Sequence, residues 1–145
     1  MTPVALAIAG SDPAGGAGIQ ADLKTFEAHG VFGTTAITAL TVQNTQGVTR
    51  VVAIEPGLVV EQIDAVVSDL GAGATKIGML ANGDIVLAVA RAIARHGLAN
   101  VVADVVIAST GGHTLLDERG VIAFRDQLMP LATATSKALS ERARS

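Results

Sequence analysis

The chain has 145 residues, half of them hydrophobic but only 2% aromatic, with ten basic residues against thirteen acidic and a formal charge of −3. That balance argues against the basic surface that nucleic acid or an anionic membrane needs, and three Phe without Trp or Tyr give no stacking platform for single strands. The absence of Cys rules out disulfides, thiolate nucleophiles and Cys-ligated metals together.

Residues 4–10, VALAIAG, are short, apolar and closed by glycine, which reads as a buried strand. After the glycine-rich stretch SDPAGGAG, Ile19, Leu23 and Phe26 recur at i, i+4 and i+7, and Gly30 supplies a helix stop. TTAITALTVQ (34–43) is rich in β-branched residues and predicts a second strand, onto which VTRVVAI (48–54) folds back across the turn NTQG. Pro56 opens a helix with the stripe Val59, Ile63, Val66 and Leu70. ATKIGML (74–80) predicts a strand in which Lys76 is the odd polar member. Asn82 is placed to cap the next helix, which turns Ile85, Val89 and Ile93 inward and stops at Gly97. VVADVVI (101–107) reads as a buried strand, and a helix from about 117 to 129 follows the loop ASTGGHT. The longest apolar run, Val101 to Ala108, is broken by Asp104 and is too short to span a bilayer, and no basic-then-apolar leader precedes it. The expectation is a soluble cytoplasmic protein of one domain, large enough to bury roughly 70% of its unfolded surface.

Strands alternating with helices of this length predict an α/β fold, a mostly parallel sheet with helices on both faces. In such sheets ligands bind beyond the carboxyl ends of the strands. Those ends are Gly10-Ser11, Gln43-Asn44, Gly78-Met79 and the segment from Ile107 to Gly112, so a pocket is expected there.

The glycine stretch admits several readings. A phosphate-gripping loop needs G-x-x-x-x-G-K-[ST], but Gly10 and Gly15 are followed by Gly16 and Ala17. GAGIQA (16–21) matches a dinucleotide pattern, yet it begins five residues after the strand, and Gln43 stands where a ribose-binding acid is expected. Simple close packing of strand and helix is the third reading. Asp22, one turn into the first helix, is stabilised by the helix dipole whether or not it has another task. Gln43 carries both a donor and an acceptor, which fits the edge of an aminopyrimidine as well as it fits its own turn. Met79 offers a soft wall for a flat ring, or ordinary core. His29, His96 and His113 lack metal-ligand spacing, and the G-x-S-x-G elbow is missing. Asp104 falls inside a strand pattern, where a buried acid would have to be paired or protonated.

AIAGSDPAGGAGIQADLKTFEAHGVFGTTAITALTVQNTQGV closely resembles the N-terminal region of hydroxymethylpyrimidine and phosphomethylpyrimidine kinases, ribokinase-like enzymes of thiamine biosynthesis. ATKIGML and VVADVVIASTGGHTLL are similar to later blocks, and the resemblance runs from about residue 4 to 133. It implies a three-layer ribokinase-like fold. It also implies a substrate pocket in which Gly10 and Asp22 line the pyrimidine, Gln43 reads its amino edge and Met79 packs by the ring. The implied activity is transfer of the ATP γ-phosphoryl group, with Mg2+, to the hydroxymethyl oxygen and then to the monophosphate. The implied partner is a small pyrimidine, and full-length relatives suggest a homodimer.

The sequence departs from that family in three ways. Val105 and Ile107 stand where members commonly carry proline and methionine. The block ITPNxxEA, expected after LAT (131–133), is replaced by ATSKALSERARS. Residues 1–133 therefore read as the N-terminal portion of a kinase-like domain, truncated, with 134–145 a divergent tail unlike a strand. The later strands, the nucleotide pocket and the G-T-G-C-like anion hole lie beyond the resemblance, and no catalytic residue is assigned. Three expectations follow: a kinase completed by a partner, a non-catalytic pyrimidine-binding module, or an inactive truncated product.

Overall fold

The computed structural model describes residues 1–109 and 111–136. Its strands are β1 (Val4–Ser11), β2 (Phe32–Asn44), β3 (Gly47–Ala53), β4 (Ala74–Ile77), β5 (Val101–Ala103) and β6 (Ala134–Thr135). The helices are α1 (Gly18–Ala28), α2 (Pro56–Leu70), α3 (Gly83–His96) and α4 (Glu118–Ala123). The strands form one sheet in the order β3-β2-β1-β4-β5-β6, parallel except for the antiparallel β2–β3 hairpin.

Period-two alternation along the strands decides which helix covers which face. Leu6, Ile8 and Ile77 point into the main core with Val59 and Ile63 of α2, Ile85, Val89 and Ile93 of α3, and Phe124 and Leu128. The opposite face of β1 is Ala5, Ala7 and Ala9, and α1 lies over that side of the sheet. A Cβ built on Gly33 of β2 would come within 2.7 Å of Leu23 and 2.9 Å of Phe26. Three layers result: α1, the sheet, and α2 with α3 and α4. Each fully buried Leu, Ile or Val contributes about 1.5–3 kcal/mol, so an aliphatic core needs no aromatic residue beyond Phe124.

Helix ends follow local chemistry. Glu55 accepts from the Gly57 and Leu58 amides with Pro56 opening α2, Asn82 accepts from Ile85 N, and Gly97 closes α3 in the left-handed region. Arg95 and His96, in the last turn of α3, both reach Asp64 Oδ1 at 2.7 Å. The His96 hydrogen bond chiefly holds the Asp64 carboxyl below its ordinary range, burial opposes it and Arg95 assists. Because the folded value is depressed, the stabilisation is present above the ordinary carboxyl pKa and is lost as pH falls through the folded one.

Five details differ from the pattern read in the sequence. Leu70 ends α2 exposed, one turn past the last residues that face the core. The β5 ladder stops at Ala103, because its neighbour β4 ends at Ile77. Asp104 is exposed rather than buried: Val101, Ala103 and Val105 face the core, while Val102, Asp104 and Val106 face the same side of the sheet as α1 but beyond the stretch that α1 covers. The helix expected over 117–129 is α-helical only to Ala123. It then widens to a π turn over Phe124–Leu128 and tightens to a 3-10 turn, Met129–Leu131, where Pro130 has no N–H to donate. The stretch expected to be unlike a strand begins with β6, which pairs parallel with β5; residues 137–145 of that stretch lie outside the described residues. No described helix is long and apolar enough to cross a membrane.

Among the described residues one buried side-chain polar atom has no partner. Thr75 is 1% exposed, and its hydroxyl finds no hydrogen bond among the described residues. Thr75→Val keeps the shape and removes the unsatisfied oxygen, so it should raise stability by about 1 kcal/mol in urea unfolding. A loss of stability would mean that the hydroxyl has a partner after all.

Candidate functional site

The carboxyl ends of the strands enclose a cavity of about 220 Å3. Gly10 and Ser11 line it from the end of β1, Asp12 from the loop that follows, Gly18 from the start of α1, and Thr41 and Gln43 from β2. Lys76, Gly78 and Met79 contribute from β4 and just beyond, and Val106, Ser109 and Leu115 close the far wall. The cavity thus sits at the carboxyl ends of the strands, where the sequence placed a pocket.

The first loop is built around Asp12, which is 4% exposed. Its carboxylate accepts the amides of Ala14 at 2.8 Å, Gly16 at 3.0 Å and Ala17 at 2.9 Å. Its own amide donates to Gln20 Oε1 at 2.8 Å, and Gln20 Nε2 donates to Ser11 Oγ at 2.7 Å. An ionised carboxylate ringed by backbone donors is among the stronger hydrogen-bond arrangements, and here it fixes the loop from within. Gly18, at φ +58°, turns back against Ser11, and a Cβ there would overlap the Gly10 carbonyl oxygen.

Of the residues singled out from sequence, Gly10, Gln43 and Met79 line the cavity and Asp22 does not. Met79 is 8% exposed and packs with Ala39 and Leu115, and its carbonyl receives the Thr38 hydroxyl. Its sulfur lies 3.0 Å from where a Cβ on Gly10 would fall, so the bare Gly10 backbone leaves room for the thioether. Gln43 sits at a bulge in the β2–β3 ladder. The Thr41 hydroxyl, which donates to the Ser11 carbonyl at 2.8 Å, is also 3.1 Å from Gln43 Oε1. Gln43 lines the cavity; Nε2 has no protein acceptor among the described residues, so both its N–H donors and one lone pair of Oε1 are left for a ligand.

Asp22 stands behind Lys76. The ammonium lies 2.9 Å from Oδ1 and 3.1 Å from Oδ2, with the two side chains 28% and 13% exposed. Lys76, which sequence reasoning noted only as an oddity, is the cation of the cavity wall. A polar residue interrupting an apolar strand was its signal. Asp12 had one too, since an acid followed by proline and glycines is a turn-building pattern.

The glycine loop does not fit a nucleotide phosphate group. The amides that would cradle an anion at residues 14, 16 and 17 already donate to Asp12. Nor do the described residues contain a group of three or more His, Asp or Glu side chains arranged to hold a metal ion.

Known proteins share this fold and much of this sequence. The chain is 50% identical over 139 residues to the hydroxymethylpyrimidine/phosphomethylpyrimidine kinase of Escherichia coli K12, covering 96% of this chain and 52% of that one. It is 53% identical over 131 residues to the protein of the same name from Synechococcus elongatus, covering 90% and 49%. The crystal structure of a phosphomethylpyrimidine kinase from Clostridium difficile superposes with a TM-score of 0.91 at 38% identity, over 98% of this chain and 62% of that one. The chain spans about half the length of the curated relatives it matches. The model of the family described as phosphomethylpyrimidine kinase matches residues 12–143, from the acid that organises the glycine loop to beyond the last described strand. The chain belongs to the phosphomethylpyrimidine kinase family.

Proposed function

We propose that the cavity binds a hydroxymethylpyrimidine and that the chain takes part in ATP-dependent phosphorylation of that alcohol and then of its monophosphate. The observation that carries the reading is Gln43. Its free amide donors and its oxygen line a cavity one wall of which is Met79. An aminopyrimidine edge offers one acceptor and one donor, so Nε2 donates to the ring nitrogen while Oε1 accepts from the amino group. Met79 supplies a polarizable surface for the ring, and Gly10 and Gly18 let backbone approach the hydroxymethyl arm.

In this reading ATP supplies the phosphoryl group and Mg2+ offsets its charge, and neither is held by the glycine loop. The described residues bind and orient the acceptor, which is one part of what phosphoryl transfer asks of a protein; positioning the nucleotide and stabilising the transferring group are the other. The reading extends to a cytoplasmic protein that engages neither nucleic acid nor membrane. It also extends to a homodimer, for which Leu40, Val42 and Val52, exposed on one face of the β2–β3 hairpin, are the apolar surface at hand.

Calorimetric titration with hydroxymethylpyrimidine tests the reading. Gln43→Ala removes two hydrogen bonds and should weaken binding at least about tenfold, or roughly 1.4 kcal/mol. A folded wild-type chain that gives no heat would overturn it.

A further inference from the structure

We propose that Lys76 is the specificity-determining cation that lets this one cavity accept a phosphate monoester as well as the neutral alcohol. The inference rests on the reading above, in which both forms of the pyrimidine enter the same cavity. They differ by a phosphoryl group carrying about −1.5 to −2 charge at neutral pH. A pocket that takes both must neutralise one without over-stabilising an empty site.

The cavity lining contains two charged side chains, Asp12 and Lys76. Asp12 is anionic, and the nearby loop amides that could have received an anion are taken up by its carboxylate. Lys76 alone offers positive charge. Its ammonium has three donors, and two are directed at the Asp22 oxygens at 2.9 and 3.1 Å. The third has no protein acceptor among the described residues. Gly78 makes room for it: a Cβ there would lie 3.0 Å from Lys76 Nζ and 2.9 Å from Ala9 Cβ.

Asp22 then acts as a counterion at rest. With the neutral alcohol bound, the Lys76–Asp22 pair stays closed and the wall is electrically balanced. With the monoester bound, the ammonium shares itself between carboxylate and phosphoryl oxygen, as a point charge on a flexible stem can. Both side chains are mostly shielded from solvent, so the exchange is screened less than a surface pair would be.

Two substitutions should therefore move discrimination in opposite directions. Calorimetry on the whole chain would compare hydroxymethylpyrimidine with its monophosphate for wild type, Lys76→Met and Asp22→Asn. Lys76→Met should weaken the monophosphate at least tenfold more than it weakens the alcohol. Asp22→Asn removes the competing carboxylate and should raise the preference for the monophosphate at least threefold. Equal losses for both ligands in both variants would make the pair a purely structural contact and overturn the inference. Wild-type binding of the alcohol alone would also overturn it while leaving the functional reading intact. Binding of neither ligand would overturn both.

Discussion

Asp12→Ala is expected to destabilise the chain by about 3 kcal/mol and to abolish ligand binding in the cavity. The carboxylate holds three backbone amides, and hydrogen bonds to a charged group contribute about 1.5–3 kcal/mol each when taken singly. The sum is not additive here, because Ala14, Gly16 and Ala17 are exposed and water recovers part of the loss. What water cannot restore is the loop's shape. The Asp12 amide also anchors Gln20, which in turn holds Ser11 at the end of β1. Asp12→Asn should cost nearly as much, since its NH2 group would face amide donors on one side. Urea unfolding with an unchanged slope would give the stability, and titration with hydroxymethylpyrimidine the binding. A loss below about 1 kcal/mol with binding retained would show that the loop is held by something else.

Gly18→Ala should be more damaging still, by upwards of about 4 kcal/mol. Part of the cost is conformational: φ is +58°, where an L-residue loses roughly 1–2 kcal/mol. The larger part is steric, because the new methyl would overlap the Gly10 carbonyl oxygen, which is backbone and cannot swing aside. Relief requires breaking the bridge between Ser11 and Gly18, which opens the cavity wall. Gly30→Ala is the control. Its φ is +70°, but a Cβ there meets nothing within 4 Å, so it should cost only about 1 kcal/mol. Similar melting points for the two variants would refute the steric argument.

Legibility of the sequence tracked the range of the interaction responsible. Asn82 and Gly97 bound α3 as read, because a cap and a left-handed glycine are local devices. The position of the cavity was also legible, since it follows from strand ends in a parallel sheet. The resemblance puts Asp22 in the pocket wall, but it sits on α1 and pairs with Lys76 on β4, 54 positions away, and no periodicity reports such a pair. Asp104 misled because alternation shows that a strand has two faces without saying whether a helix covers the second. β6 was invisible for a simpler reason: two residues carry no period.

The central place of β1 has a consequence for how the chain is made. It lies between β2 and β4, and β4 ends only at Ile77. At about 5–20 residues per second on a ribosome, β1 waits on the order of several seconds between synthesis and completion of its second ladder. Through that interval an eight-residue segment of almost wholly apolar character has at least one edge open. Nascent chains of this protein should therefore be clients of whatever holds hydrophobic strands apart during translation, and crowding of polysomes should lower the yield of folded chain before it affects the stability of the finished one.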